Sequence, residues 1–268
     1  MPVPAPNSSA RAVVTGGSSG IGVALATELA RRGHSVILVA RSTEPMEALA
    51  SKLRADFGVE AEVRGVDLAD PSARGELCRE LAGREVSILC NNAGTATFGR
   101  VIDLDPDYER AQLELNATAV HDLTLAVLPQ MVKRGNGGIL TTGSAAGNMP
   151  IPNNATYAAS KAFANTFSES LRGEVKELGV HVTLLAPGPV RTELPDPADR
   201  STVEKVVPEF LWVNTEYTAR VSLDALEKNQ MRVVPGLLSK AMSTAGNYTP
   251  RRIIAPIVGQ MYKKLAGN

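Results

Sequence analysis

The chain has 268 residues, 28 basic against 28 acidic, and 44% of its residues are hydrophobic. That length suits one large domain or two small ones, and the balanced charge gives no reason to expect nucleic acid as a partner. Cys78 and Cys90 are too few for a disulfide framework and read as buried thiols, while His34, His121 and His181 are too scattered to hold a metal. No apolar run reaches the ~18 residues that would span a membrane. Residues 1–9 lack the charged and apolar regions of a signal peptide and read as a flexible tail, so the protein is expected in the cytoplasm.

From Arg11 the sequence alternates between two periods. Ala12-Val13-Val14-Thr15, 35–39, 61–66 and 86–90 are short apolar strands, and 21–32, 44–57 and 71–82 are helices between them, the last with Pro71 in its first turn. Strict alternation predicts crossovers and a parallel sheet covered on both faces, which explains why the strands are apolar throughout. The glycines at 16, 17, 20 and 22 follow the first strand directly, in the spacing G-x-x-x-G-x-G. A sharp strand-to-helix turn needs residues without side chains, and the following helix N-terminus suits an anion. That position favours a pyrophosphate cradle over a mere chain reversal.

The end of the second strand should meet an adenosine ribose. NAD would call for an acid there, about 20 residues past the turn. The chain has Val39-Ala40-Arg41-Ser42 instead, and an arginine pairs with a 2′-phosphate, so NADP(H) is predicted. Asp67, followed by Leu68, ends the third strand, where a carboxylate meets an adenine amino group. A helix cap is the competing reading of Asp67, and Asp70 before Pro71 fits that cap better. Asn91-Asn92-Ala93-Gly94 ends the fourth strand with small residues that let backbone approach a ligand.

Residues 106–131 read as one long helix, with Leu113, Ala117, Val120, Leu123 and Val127 near helical spacing and Asn116, a poor helix former, inside it. Residues 138–142 form a fifth strand that delivers Ser144 to the edge where ligands gather. Asn154 is placed to cap a helix over 155–178, on which Phe163, Phe167, Leu171 and Val175 make a stripe to be buried. Tyr157 and Lys161 stand one turn apart on another face of that helix. A nearby ammonium favours a phenolate, so the pair is suited to exchanging a proton with a substrate oxygen. Strands at 180–185 and 231–234 complete the sheet.

Together, Thr15-Gly16-x-x-x-Gly20-Ile21-Gly22, Asn91-Asn92-Ala93-Gly94, Asn116, Ser144, Tyr157-x-x-x-Lys161 and Pro187-Gly188-Pro189-Val190-Arg191-Thr192 resemble the short-chain dehydrogenase/reductase family, in the right order and at the right element ends. The resemblance implies an α/β fold: a doubly wound, seven-stranded parallel Rossmann sheet over residues 10–236, with 237–268 a C-terminal helical extension on the same domain. It implies that Tyr157 is the general acid, that Lys161 lowers the tyrosine pKa and holds the nicotinamide ribose, and that Ser144 binds the substrate oxygen. Asn116 would order a water that reloads Tyr157 through Lys161. The cofactor would lie along Gly16, Ser18, Ser19, Gly20, Ile21 and Gly22, then Arg41, Ser42, Asp67 and Leu68. Asn92, Ala93, Gly94, Pro187, Gly188, Val190 and Thr192 would hold its nicotinamide half. No metal is called for.

Residues 193–213 would cover the substrate and offer Phe210, Leu211 and Trp212, either for that purpose or for the core; Met149 and Ile151 would line the same cleft. In residues 249–265 apolar and basic positions alternate at helical spacing. Such a helix rests on an anionic membrane surface, caps the cleft or packs on the domain, and the sequence leaves all three open. Segments 144–148, 186–195 and 231–237 resemble the long-tailed branch that reduces lipid 3-oxo groups, which implies a long-chain 2-alkyl-3-oxo ester of the mycolate type as substrate. A steroid, a 3-oxoacyl thioester or a xenobiotic ketone are the alternatives, and a catalytically inactive cofactor-binding regulator is a remote one. The family also implies a homo-oligomer formed through the two long helices.

Overall fold

Five residues, Arg11–Thr15, form β1, and all five are buried because the strand lies in the interior of the sheet. A computed structural model describes residues 4–191 and 212–236, with Lys240 and Arg252. Strands β2 (Val36–Ala40), β3 (Ala61–Gly65), β4 (Val86–Asn91), β5 (Gly137–Thr142) and β6 (Val180–Leu185) join β1. Two-residue strands follow at Val190–Arg191 (β7), Val213–Asn214 (β8) and Arg232–Val233 (β9). The main sheet has seven strands in the order β3-β2-β1-β4-β5-β6-β9, every pair parallel, as the alternation predicts; β7 and β8 pair separately. The order reverses between β1 and β4, so the crevice for a ligand opens at their C-terminal ends.

Alternate residues of each strand enter different cores. On one face Ala12, Val14, Val36 and Leu38 meet α1 (Gly20–Arg31), α2 (Thr43–Phe57) and α7 (Thr215–Glu227) through Leu25, Leu29, Met46, Leu53 and Leu223. On the other, Val13, Ile37 and Val39 meet α3 (Pro71–Ala82), α5 (Ala119–Arg134) and α6 (Ala155–Val175) through Leu77, Leu81, Leu123, Val127 and Leu171. Each such side chain contributes roughly 1.5–3 kcal/mol on burial. Both faces of β1 are equally apolar, so burial alone would tolerate a one-residue slip. The register is held instead by polar bonds at the strand ends, described below.

Several elements depart from expectation. The helix expected over 106–131 is α4 (Pro106–Leu113), a π turn at Glu114–Thr118, then α5. The wider turn shifts the phase of everything before it, so Leu113 is exposed while Gln112 and Asn116 are buried. Buried Arg74 braces this turn: it bonds Glu114 Oε2 at 2.9 Å, Asp122 Oδ2 at 2.8 Å and the Leu68 carbonyl at 2.8 Å. On α6 Leu171 and Val175 are buried as expected, but Phe163 is 41% exposed and stacks on Phe167 at 5.6 Å. Asn154 precedes α6 without capping it, because its Nδ2 donates to the Thr97 carbonyl. Asp70 does cap α3, accepting from Ser72 and Ala73.

Within the segment read as a flexible tail, Asn7 and Ser9 make hydrogen bonds. Asn7 Oδ1 accepts from the Ala10 amide at 2.7 Å and Ser9 Oγ donates to Glu85 at 2.8 Å, which ties the segment to the turn before β4. Helix α7 had no counterpart in the sequence reading. Thr192, nearly all of the covering segment 193–213 (Trp212 and Val213 excepted) and the tail 249–265 apart from Arg252 lie outside the described residues. Among the described residues no helix is long and apolar enough to cross a membrane.

Candidate active site

The glycine turn lies across the end of β1. Gly16 and Gly17 donate to the Val39 carbonyl at 2.8 and 3.3 Å, which binds the turn to β2. Gly16 and Gly20 have φ of 69° and 53°, the left-handed region that favours glycine. A Cβ on Gly22 would collide with the Gly16 carbonyl, so the first turn of α1 is pressed against the turn that precedes it. Ser18 and Ser19 precede that helix; Ser19 is its N-cap, makes no side-chain bond to it, and no acid lies in the first turn. The N–H groups beginning at Gly20 and Ile21 therefore face the crevice with no internal anion, as a pyrophosphate site requires.

Arg41 is exposed at the end of β2 and makes no hydrogen bond or ion pair among the described residues; Ser42 beside it is the N-cap of α2. At the end of β3, Asp67 is exposed and its Oδ1 accepts from the Ala69 amide at 2.9 Å, while Leu68 is buried. The β1–β4 edge is fastened by Thr15. Its Oγ1 accepts from the amides of Asn92 and Ala93 at 2.9 and 3.0 Å, and Asn92 Nδ2 returns a bond to the Thr15 carbonyl at 3.0 Å. Thr142 at the end of β5 donates to Asn92 Oδ1 at 3.2 Å. Three strand ends thus share one polar clasp, and the slip that apolar burial would allow would break it.

Ser144, Tyr157 and Lys161 come together beyond that clasp. Ser144 leaves β5 in an extended conformation, and its Oγ accepts from the Ala146 amide at 3.0 Å as cap of the short turn Ala145–Asn148. Half-buried Tyr157 and buried Lys161 stand one turn apart on α6, with Lys161 Nζ 5.9 Å from the phenol ring centroid and donating to the Thr142 carbonyl at 2.8 Å. Gly94 closes the same space; a Cβ there would stand 3.1 Å from Asn116 Oδ1 and 3.3 Å from Lys161 Nζ. Pro187, Gly188 and Val190 follow β6 and are half-buried, with the Pro187 carbonyl accepting from Ala145 N at 3.5 Å. Ile151, Ala146 and Ala158 form a small apolar cluster against which Met149 and Tyr157 pack, so one side of the phenol faces hydrocarbon. Arg191 lies over the Trp212 ring at 5.8 Å.

Two observations bear on the expected roles. Asn116, buried within the π turn, gives its side chain wholly to the protein: Oδ1 accepts from Thr95 N at 3.0 Å, and Nδ2 reaches the Thr95 carbonyl at 2.8 Å and Ser160 Oγ at 3.1 Å. It clamps the loop after β4 to α6, and Ser160 in turn donates to the Tyr157 carbonyl at 2.8 Å. The second observation concerns protonation. Burial is the largest effect on Tyr157 and pushes its pKa up, with a Ser144 hydrogen bond acting the other way. Burial also pushes Lys161 down to about 8. Low polarity around both groups thus dominates, and a Ser144 hydrogen bond, not the ammonium, is what acts to lower the phenol. The phenol is held protonated at neutral pH, and Lys161 titrates at about 8.

The sequence reading missed Thr95, Thr142 and Asn165 as parts of this site, and gave Thr15 no role beyond its place in the glycine motif. Asn165 carries the same signal that singled out Asn116, a poor helix former inside a long helix. Among the described residues no three His, Cys, Asp or Glu side chains cluster as metal ligands.

A family model described as short chain dehydrogenase matches residues 10–202. Among curated proteins, the chain is 37% identical over 203 residues to the very-long-chain 3-oxoacyl-CoA reductase of Bos taurus, covering 74% of this chain and 64% of that protein. The chain thus spans less than two thirds of that relative's length. A solved short-chain dehydrogenase from Sphingobium yanoikuyae in complex with NADPH superposes with a TM-score of 0.78 at 30% identity, covering 90% of this chain and 96% of that one. The bulky-bulky ketone specific alcohol dehydrogenase from Comamonas testosteroni superposes with a TM-score of 0.73 at 28% identity, over 90% of this chain and 95% of that one.

Proposed function

This chain belongs to the short-chain dehydrogenase/reductase family, and on that premise we propose that it is an NADPH-dependent reductase of a lipid 3-oxo group. The observation that carries the reading is the convergence of Ser144, Tyr157 and Lys161 beyond the polar clasp at the sheet's C-terminal edge, with an apolar cluster against the phenol. The bound nicotinamide cofactor supplies the hydride. Gly16, Ser18, Ser19, Gly20, Ile21 and Gly22 fit its pyrophosphate, and Asp67 with Leu68 its adenine. Arg41 with Ser42 suits a 2′-phosphate, because an unpaired cation stands where NAD would call for an acid. Asn92, Ala93, Gly94, Lys161, Pro187, Gly188, Val190 and Thr192 would bound the nicotinamide half.

Ser144 donates a hydrogen bond to the substrate carbonyl and holds the charge that develops on its oxygen. Tyr157 gives that oxygen its proton and becomes a phenolate, next to the Lys161 ammonium. Lys161 is well suited to return the proton, since burial has brought it to about 8. Asn116 keeps Thr95 and Ser160, and through them the Gly94 edge and the Tyr157 backbone, in register.

Within lipid ketones, the substrate we favour is a long-chain 2-alkyl-3-oxo ester of the mycolate type, on the resemblance of 144–148, 186–195 and 231–237 to the reductases of that branch. The 3-oxoacyl thioester reading is kept because relatives such as the bovine protein are named very-long-chain 3-oxoacyl-CoA reductases. Consumption of NADPH, followed by absorbance, should be tested on 2-alkyl-3-oxo esters, 3-oxoacyl thioesters, steroid ketones and small sugars. Turnover confined to sugars would end the lipid reading. Tyr157→Phe should lower kcat by roughly 100-fold or more while NADPH still binds; full turnover in that variant would end the assignment of the site. We further propose that the chain pairs with copies of itself through α5 and α6, where Leu125 and Phe163 are exposed.

A further inference from the structure

Ser144 leaves β5 at a point where the strand ladder no longer serves it. Gly143 still donates to Leu185 O at 2.8 Å, but the N–H and carbonyl of Ser144 itself have no strand residue opposite them. One side chain engages both, and the carbonyl accepts in addition from Gly147 N at 3.1 Å within the short turn. Asn165 Oδ1 accepts from Ser144 N at 3.3 Å, and Asn165 Nδ2 donates to Ser144 O at 2.9 Å. In extended backbone the N–H and C=O of a residue point the same way, so a single carboxamide can engage both as a neighbouring strand would.

Asn165 is 3% exposed and lies one turn beyond Lys161 on α6. Room for it is made by two glycines. A Cβ on Gly143 would run into Asn165 Oδ1, and one on Gly147 would come within 2.6 Å of both Asn165 Nδ2 and the Lys161 carbonyl. The same Nδ2 also reaches Asn148 Oδ1 at 3.1 Å, which accepts from Arg232 Nη2 at 3.3 Å; Arg232 Nε pairs with Glu169 on α6 at 2.8 Å. The backbone of Ser144 is thereby fixed to the helix that carries Tyr157 and Lys161.

We propose that Asn165 is a positioning residue: by clasping the Ser144 backbone at both polar groups, it sets the direction of the Ser144 hydroxyl relative to Tyr157. The proposal rests on the reading that Ser144 binds the substrate carbonyl. Hydroxyl direction matters because a displacement of about 1 Å at a reacting centre can lower the rate about 100-fold. A leucine keeps the branched outline of asparagine, with larger ends, and lacks the two bonds.

The test uses the full chain with a ketone that the wild type reduces, and compares Asn165→Leu, Ser144→Ala and the double variant. Asn165→Leu is expected to lower kcat roughly 10- to 100-fold, with KM and NADPH affinity, read by fluorescence titration, changed less than about threefold. In the Ser144→Ala background the same substitution should cause no further loss, because no hydroxyl remains to be directed. Unchanged kcat in Asn165→Leu, or losses that multiply in the double variant, would overturn the proposal. Full activity in Ser144→Ala would instead overturn the reading of Ser144 on which it rests. If Asn165→Leu does not fold, Asn165→Ala is judged by the same two criteria, and failure of both to fold would assign Asn165 to stability alone and also overturn the proposal.

Discussion

Arg41 is exposed and unpaired among the described residues, so its charge is available to a ligand rather than to the fold. Arg41→Asp should lower the ratio of kcat/KM with NADPH to that with NADH by roughly 100-fold, since loss of one charged hydrogen-bonded partner costs about 2–5 kcal/mol. An unchanged ratio would remove Arg41 from the cofactor site. Lys161 sets a pH dependence of its own. Burial brings it to about 8, so it keeps its charge at neutral pH and loses it above. Reductive kcat should therefore decline as pH rises through about 8, whereas Tyr157, raised by burial, remains protonated over that interval. Linkage runs the opposite way for stability. Below about pH 8 the native and unfolded states both hold the lysine proton, and the full penalty of burying it is present. Between about 8 and the ordinary ~10.4 the unfolded state binds more protons, so stability rises with pH. Lys161→Met should stabilise the fold at pH 7 by up to roughly 3 kcal/mol, with the gain vanishing near pH ~10; thermal melts across that interval measure it.

The elements differ in how plainly their residues announce them. Strands such as β1 and β2 were legible because apolar runs bounded by turn residues have few other uses, and α3 because Asp70-Pro71 gives both a cap and a first-turn proline. Helix α7 was not, since its buried face mixes Thr218, Ala219 and Ser222 with Leu223 and Leu226, a stripe too weakly apolar to stand out. The π turn left a single trace, Asn116, and nothing in residue type foretold that the ladder would widen there. In the site, the motif residues were readable one by one, but the partners that hold them were not. A bond such as that of Lys161 to the Thr142 carbonyl involves a backbone atom, which any residue could supply. The start of α1 offers an element-level test. Gly22→Ala drives a methyl into the Gly16 carbonyl and should cost about 1–3 kcal/mol. Melts with and without NADPH should show a lower Tm together with a smaller ligand-induced rise. A normal rise would mean that the turn can shift without harm to its ligand.

At the scale of the whole molecule, one exposed apolar surface among the described residues is formed by Phe163 stacked on Phe167, with His121 at 5.4 Å from Phe167, and by half-exposed Leu125 on α5. If copies pair there, Phe163→Lys should shift the chain toward monomer in light-scattering chromatography while Tyr157 and Lys161, on another face of α6, keep turnover. An unchanged mass would place the interface elsewhere. The strand order has a consequence for synthesis. β1 lies between β2 and β4, yet β4 begins only at Val86, after β2, α2, β3 and α3 have been made. Until then one side of β1 presents unpaired backbone groups between apolar side chains, the condition under which strand edges capture other chains. The hazardous interval of translation is thus the stretch from the end of β3 at Gly65 to the end of β4 at Asn91. A ribosome that pauses there holds a half-sheet with an adhesive edge, and chaperone demand for this protein should be greatest in that window.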